Sequence, residues 1–202
     1  MISMKAKDWH LRYCVKMPKL LTPETDGWSF NFPLVTSGPL DSPKTPSVNY
    51  ITTNIRKGTL AVGKTISMTF TINASEDVVF DYGVGPKNPC PRAANTRFYF
   101  QSGTGLDNNP NHRWWTNRVS ADLITACNTT IVLQEELDPQ FWINVDGKVG
   151  NTNAATHKGF LNAISSKKGA VGITIGGGCF AGHGACITRG SAKFIMLNYE
   201  VD

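Results

Sequence analysis

A cysteine, a histidine and a second cysteine stand within one glycine-rich run, GGGCFAGHGAC, from Gly176 to Cys186. Cys179, His183 and Cys186 are ligand types that zinc accepts, but a structural zinc site needs a fourth ligand and no second cluster supplies it. His10, His112 or His157 would have to be recruited across the fold. A thiol beside His183 is also the beginning of a nucleophilic pair. That chemistry further requires a group to orient the base and a pocket, and neither can be assigned from local sequence. A phosphate cradle needs a helix directly after its glycines. Here Ile187, Thr188, Arg189 and Gly190 lead instead into another strand pattern, and the GK[ST] signature is absent. What remains is a structural reading: a tight turn or bulge between strands, with Phe180 plugging the edge of the core and the cysteines buried. The glycines also permit a disulfide between Cys179 and Cys186.

A second constellation, RFYFQSGTGLDNNPNHRWWTN, runs from Arg97 to Asn117. Sugars present CH faces that stack on aromatic rings, and hydroxyls that suit planar amide and guanidinium partners. Strand alternation places Arg97, Tyr99 and Gln101 on one face and turns Phe98 and Phe100 into the core. Arg113, Trp114, Trp115 and Asn117 then return on the opposing strand of a hairpin. Adjacent tryptophans on a strand point oppositely, so one of the pair belongs to the core and the other is at least partly exposed. The expected contact surface is therefore Arg97, Tyr99, Gln101, Arg113, Trp114, Trp115 and Asn117. Phe141 and Trp142 repeat the alternation, and Trp28 poses the same choice between core and surface.

Other polar groups are less directive. Asp107, Asn108, Asn109 and Asn111 surround Pro110 and read as a turn before they read as a cation site. Lys87 and Arg92 occupy a loop, PKNPCPRAAN, where they could meet an anionic group or a neighbouring subunit. Glu135 and Glu136 are adjacent and so fall on opposite strand faces, and no sequence-local carboxylate pair resembles a glycosidase acid and nucleophile. The expectation is a non-catalytic chain with no cofactor and no metal.

The elements that must position these residues are mostly strands. The chain has 202 residues, enough for one sizeable core, and a single domain over 1–202 is the expectation. Charged residues make up 17%, below the roughly 25% of an average soluble protein, and 19 glycines and 11 prolines favour a turn-rich β protein. WSFNFP alternates Trp28, Phe30 and Phe32 on one face, and TISMTFTINA buries Ile66, Met68, Phe70 and Ile72 while its threonines face out. SVNYITTNI, VVFDYGV, TRFYFQSG, TTIVLQ, QFWINVDG, AVGITIGG and SAKFIMLNYEV continue the series between Gly, Pro, Asn and Asp. Three prolines in TSGPLDSPKTP make Thr36 to Pro46 an exposed loop. Asn153 to Lys168 alone reads as helix, with Gly169 to stop it. So many strands and one short helix predict an all-β, two-sheet antiparallel β-sandwich of jelly-roll type.

The net charge of +5 is spread over isolated positions and pairs such as Lys167 and Lys168, not gathered on a stripe or arm, so nucleic acid is not an expected partner. The N-terminal MISMKAKDWHLRYCVK lacks a signal peptide's apolar run, and no window reaches transmembrane length. A cytoplasmic product without membrane insertion is expected. The five cysteines, at positions 14, 90, 127, 179 and 186, include no CxxC pair, which argues against a disulfide framework.

The order of WSFNFP, TFTINAS, RFYFQ, WINVDG and the closing SAKFIMLNYEV resembles galactose-binding-like jelly rolls, the fold of many carbohydrate-binding modules. The resemblance implies a non-catalytic module whose partner is a glycan. Phage decoration and tail proteins often look like such jelly rolls too, which extends the expectation to a virion protein, with neighbouring virion subunits as partners and a homo-oligomer as its state. A purely structural virion decoration or assembly protein is the alternative reading. A hydrolase using Cys179 or Cys186 with His183 is the second.

Overall fold

The computed structural model describes residues 2–14, 16–17, 20–36, 45–55, 58–82, 93–103, 109–177 and 181–202. Strands β1 (Trp9–Arg12), β2 (Thr22–Glu24), β3 (Gly27–Asn31), β4 (Tyr50–Ile55), β5 (Thr65–Ala74), β6 (Val79–Asp81) and β7 (Ala94–Ser102) come first. They are followed by β8 (Arg113–Thr116), β9 (Ala121–Asp122), β10 (Thr130–Glu136) and β11 (Trp142–Asn144), then by the helix α1 (Ala154–Ile164). Strands β12 (Gly169–Gly177), β13 (Cys186–Arg189) and β14 (Ala192–Val201) complete the order.

Two antiparallel sheets form the sandwich. The larger has the order β1-β4-β12-β7-β8-β11, with β9 paired to β7, and the smaller has the order β10-β5-β14-β3-β2. A short pair, β13 with β6, stands beside them. The chain passes repeatedly from one sheet to the other, for example β3 to β4 to β5, as jelly-roll connections require.

The inner faces are built from alternating apolar residues, as period two dictates. On β5, Ile66, Met68, Phe70 and Ile72 are all fully buried while the intervening residues are partly exposed. Facing them from the larger sheet are Phe98, Phe100, Trp114, Trp142, Val171 and Ile173. Aromatic rings join the two layers: Trp9 of β1 lies 4.9 Å from Trp28 of β3 and 5.1 Å from Tyr199 of β14. Phe194 stacks between Phe30 and Phe70, at 5.2 and 4.9 Å.

The helix begins where expected. Asn153 Oδ1 accepts from the backbone N–H groups of Ala155 and Thr156, and Thr156 Oγ1 accepts in return from Asn153 N, a reciprocal cap. Its end differs from expectation. The helical turns stop at Ile164, and Gly169 is already the first residue of β12, because its amide and carbonyl are needed for pairing with β4 and β7. Sequence periodicity also passed over β1, β2, β9 and β13, which are four residues or shorter and too brief to show alternation.

An ion pair ties the two layers at their edge. Arg118, just beyond β8, donates through Nε and Nη2 to the Glu135 carboxylate of β10, with an Nη2 to Oε1 distance of 2.9 Å, and its guanidinium lies 3.4 Å from the Phe141 ring centroid. Glu135 is almost fully buried while Arg118 is more than half exposed, so removing the arginine leaves a carboxylate inside without its counter-ion. Arg118→Met should lower the melting temperature measured by calorimetry, and adding Glu135→Leu to it should recover part of the loss. An unchanged melting temperature in the single variant would show that solvent already screens the pair.

Candidate functional site

The outer face of the larger sheet is organised in cross-strand rows. One row runs His10, Thr52, Gly172, Tyr99, Trp115 and Ile143 across six strands. Beside it on one flank stand Arg12, Tyr50, Thr174 and Arg97, and on the other Asn54, Ala170, Gln101 and Arg113. The middle strand, β12, therefore presents only Ala170, Gly172, Thr174 and Gly176 outward. Strands lie about 4.8 Å apart, so side chains on β4 and β7 start about 10 Å from each other. With nothing larger than threonine between them, Tyr50 reaches over β12 until its ring centroid is 5.0 Å from that of Tyr99.

Tyr99 continues to Trp115 at 5.3 Å, and Tyr13 meets Tyr50 edge-on at 5.4 Å. Tyr50, Tyr99 and Trp115 form an aromatic cluster separate from the core, with Ile143 and Ala181 packed against it. Above it opens a cleft of about 210 Å³, lined among others by Tyr50, Arg113, Trp115, Ile143, Ala181 and His183.

The glycine-rich run thus has a role that its sequence did not disclose. Gly182 and Gly184 take positive φ values of 77° and 91°, which brings this backbone down onto the sheet. Asn49 Nδ2 donates to Gly182 O at 3.2 Å, and a Cβ on Gly182 would collide with the Tyr50 hydroxyl at 2.3 Å. Ala181 and His183 are thereby held against the cleft. Phe180 lies outside the described residues.

The polar groups of this face are strongly conditioned by burial. The Tyr99 hydroxyl donates to Gln101 Oε1, Gln101 Nε2 donates to Gly103 O at 3.0 Å, and Arg97 Nε donates to Asn95 Oδ1 at 3.2 Å. Desolvation pushes the Tyr99 phenol far above its ordinary range, so it stays protonated and able to donate. Tyr50 is also raised by burial, against the opposing pull of Arg113, which is hydrogen-bonded to it. Burial lowers His183, leaving a neutral imidazole at pH 7. Several buried atoms on this same face have no hydrogen-bond partner among the described residues: Thr52 Oγ1, Thr174 Oγ1, Arg113 Nε and Trp115 Nε1. Such atoms are costly unless water or a ligand answers them.

The expected contact residues separate into three groups. Arg113 and Trp115 line the cleft. Arg97, Tyr99 and Gln101 share the same face, as alternation required, but they are 8%, 0% and 1% exposed and are not among the cleft-lining residues, whereas Trp115, itself 5% exposed, is. Trp114 is a correction: it points into the core, where it is fully buried, meets Phe160 edge-on at 5.2 Å and donates from Nε1 to Asn111 O at 2.8 Å. Its register partner is the core residue Phe100, and that pairing fixes its direction. Asn117 is exposed beyond the end of β8, with its backbone N–H bonded to Phe141 O, and it is not among the cleft-lining residues. Trp28 and Trp142 are also core residues. Sequence reasoning missed Tyr50 as a site residue. Its outward direction could be deduced from Ile51, but its proximity to β7 depends on sheet order, which no local pattern encodes.

Asn109 Oδ1 accepts from Asn111 N at 3.0 Å, so this stretch is a capped turn around Pro110. Asp107, Asn108, Lys87 and Arg92 lie outside the described residues, as does Cys179, so its expected bridge to Cys186 and its share in a zinc set lie there too. Among the described residues, no group of three or more His, Cys, Asp and Glu is placed to hold a metal ion. No helix of the described residues is long and apolar enough to cross a membrane.

Cys186 is a free, buried thiol at 2% exposure. Burial, with a smaller contribution from Asp81, pushes it up to about 11. A nucleophilic cysteine needs the opposite shift. Iodoacetamide at pH 8 should therefore modify Cys186 far more slowly in the native protein than in urea, as read by peptide mass spectrometry. Equal rates would reveal an accessible, activated thiol and restore the Cys/His chemistry.

Neither a protein-family model nor a curated protein matches the chain. Among solved structures it is similar to the xylan-binding module CBM15, with a TM-score of 0.46 and 16% identity over 96% of this chain and 94% of that one. It is also similar to a variant of xylanase 10C from Cellvibrio japonicus in complex with xylopentaose, with a TM-score of 0.44 and 16% identity. That match covers 96% of this chain, which spans only 28% of the xylanase chain.

Proposed function

We propose that this chain is a non-catalytic carbohydrate-recognition domain whose site is the cleft on the outer face of the larger sheet. The observation that carries the reading is the second aromatic cluster, Tyr50, Tyr99 and Trp115, built away from the core and accompanied by unanswered polar atoms on the same face. A cluster needed only for stability would have no reason to combine an open cleft with a guanidinium, an imidazole and an indole N–H. A sugar offers an apolar CH face for the Trp115 ring and hydroxyls for Arg113, with His183 among the lining residues. The neutral imidazole of His183 suits hydrogen bonding to neutral hydroxyls.

The test is a glycan-array screen of the purified chain, run beside size-exclusion chromatography with light scattering on the same sample. Retention by a defined sugar class is the expected result. A blank array together with a defined oligomer would overturn the reading and give the aromatic face to assembly between copies, the role expected of a virion decoration protein.

A further inference from the structure

Among the described residues that line the cleft, Arg113 is the charged one, and its surroundings specify what it lacks. Its guanidinium is hydrogen-bonded to the Tyr50 hydroxyl and lies 5.9 Å from the Trp115 ring centroid. Its Nε is buried with no acceptor among the described residues. No aspartate or glutamate is among the described residues that line the cleft, and Arg113 has no carboxylate partner among the described residues. Asp146, between the lining residues Val145 and Gly147, is exposed and forms an ion pair with Lys148 at 3.6 Å. Arg12 and Arg97 occupy the same sheet face, one on each side of β4 and β12.

A guanidinium is a planar fork of five N–H donors that matches a carboxylate in two parallel hydrogen bonds. Leaving a buried donor of a charged group unanswered costs more than leaving a neutral one. The Tyr50 hydroxyl answers only part of the fork, and it is a neutral acceptor. The site therefore combines a flat indole for a ring with a cation whose buried Nε has no acceptor among the described residues. The cleft, at about 210 Å³, has room for one ring-sized group and not for a long segment.

We infer that the cleft takes a uronic acid residue of an acidic polysaccharide, its pyranose face on Trp115 and its carboxylate on the Arg113 fork. This rests on the carbohydrate reading above and narrows it to one class of sugar. Neutral sugars would satisfy the indole and leave the guanidinium as it is. Acidic peptides would satisfy the guanidinium and leave the ring bare.

Isothermal titration at low and at physiological salt separates these cases, using oligomers of pectate, alginate and polyglucuronate, the carboxyl-reduced counterpart of each at equal length, and poly-glutamate. At least one oligouronate should bind at least about tenfold more tightly than its reduced counterpart, the worth of one charge-assisted hydrogen bond. Arg113→Met should erase that difference, and Arg113→Lys should restore only part of it, since an ammonium keeps the charge without the fork. Circular dichroism on both variants confirms that they fold. Equal binding of acidic and reduced oligomers would overturn the uronate inference while leaving carbohydrate recognition intact. No binding of any sugar in the panel would overturn the inference, and a blank glycan array beside it would remove the carbohydrate reading as well. Poly-glutamate binding as tightly as the best uronate would show a site for charge alone and overturn it too.

Discussion

Trp114→Ala should cost about 3–5 kcal/mol of stability, the range for removing a large aromatic from a packed core. Its indole is fully buried between Phe160 of the helix and the inner face of the larger sheet, and its N–H holds the Asn111 carbonyl of the preceding turn. Truncation thus opens a cavity, leaves a carbonyl unanswered and loosens the seat of α1. Urea denaturation followed by circular dichroism should show the midpoint falling sharply. In whatever fraction remains folded at low temperature, sugar affinity should be unchanged. A Trp114→Ala protein with native stability and lost binding would place this ring at the ligand and overturn the assignment of the two faces.

The neighbouring residue should behave in the opposite sense. Trp115→Ala should weaken sugar binding by about 30-fold or more, equivalent to the 2 kcal/mol or more typical of a buried aromatic anchor in a binding surface. Trp115 belongs to the small cluster of Tyr50, Tyr99, Ile143 and Ala181, beside the cation of Arg113 and apart from the main core, so its removal should perturb stability less than that of Trp114. Trp115→Phe keeps a ring and deletes the unanswered indole N–H, and it should give an intermediate loss. Titration of the best array sugar against the three proteins is the measurement. Equal affinity in wild type and Trp115→Ala would remove the cleft from consideration.

The contrast between these two residues also shows what the sequence made legible. Parity alone required one tryptophan of the pair to face the core, and parity correctly divided Arg97, Tyr99 and Gln101 from Phe98 and Phe100. It could not say which tryptophan goes in, because that follows from register, the alignment of Trp114 with Phe100 and of Trp115 with Tyr99. The ten-residue alternation of β5 was read with its bounds, since a long strand buried on one face repeats its signal many times. The four-residue β1 and β13 gave too few repeats to stand out. Tyr50 and His183 were out of reach as partners for a further reason. Tyr50 joins the cluster of Trp115, and His183 lines the same cleft, only because β4, β12, β7 and β8 are neighbours and β12 carries small residues outward, a property of four strands at once.

The position of β14 bears on how the molecule is made. This strand lies in the middle of the smaller sheet, between β5 and β3, and Phe194 at its centre fills the stack between Phe30 and Phe70. Until residues 192–201 have left the ribosome, β5 and β3 have no common neighbour, and the rings of Phe30 and Phe70 face an open slot. A nascent chain must therefore wait with two half-sheets and their apolar faces uncovered, in the condition that chaperones recognise and that favours association between incomplete chains. Translation speed and chaperone supply should govern the soluble yield of this domain more than the stability of the finished sandwich does.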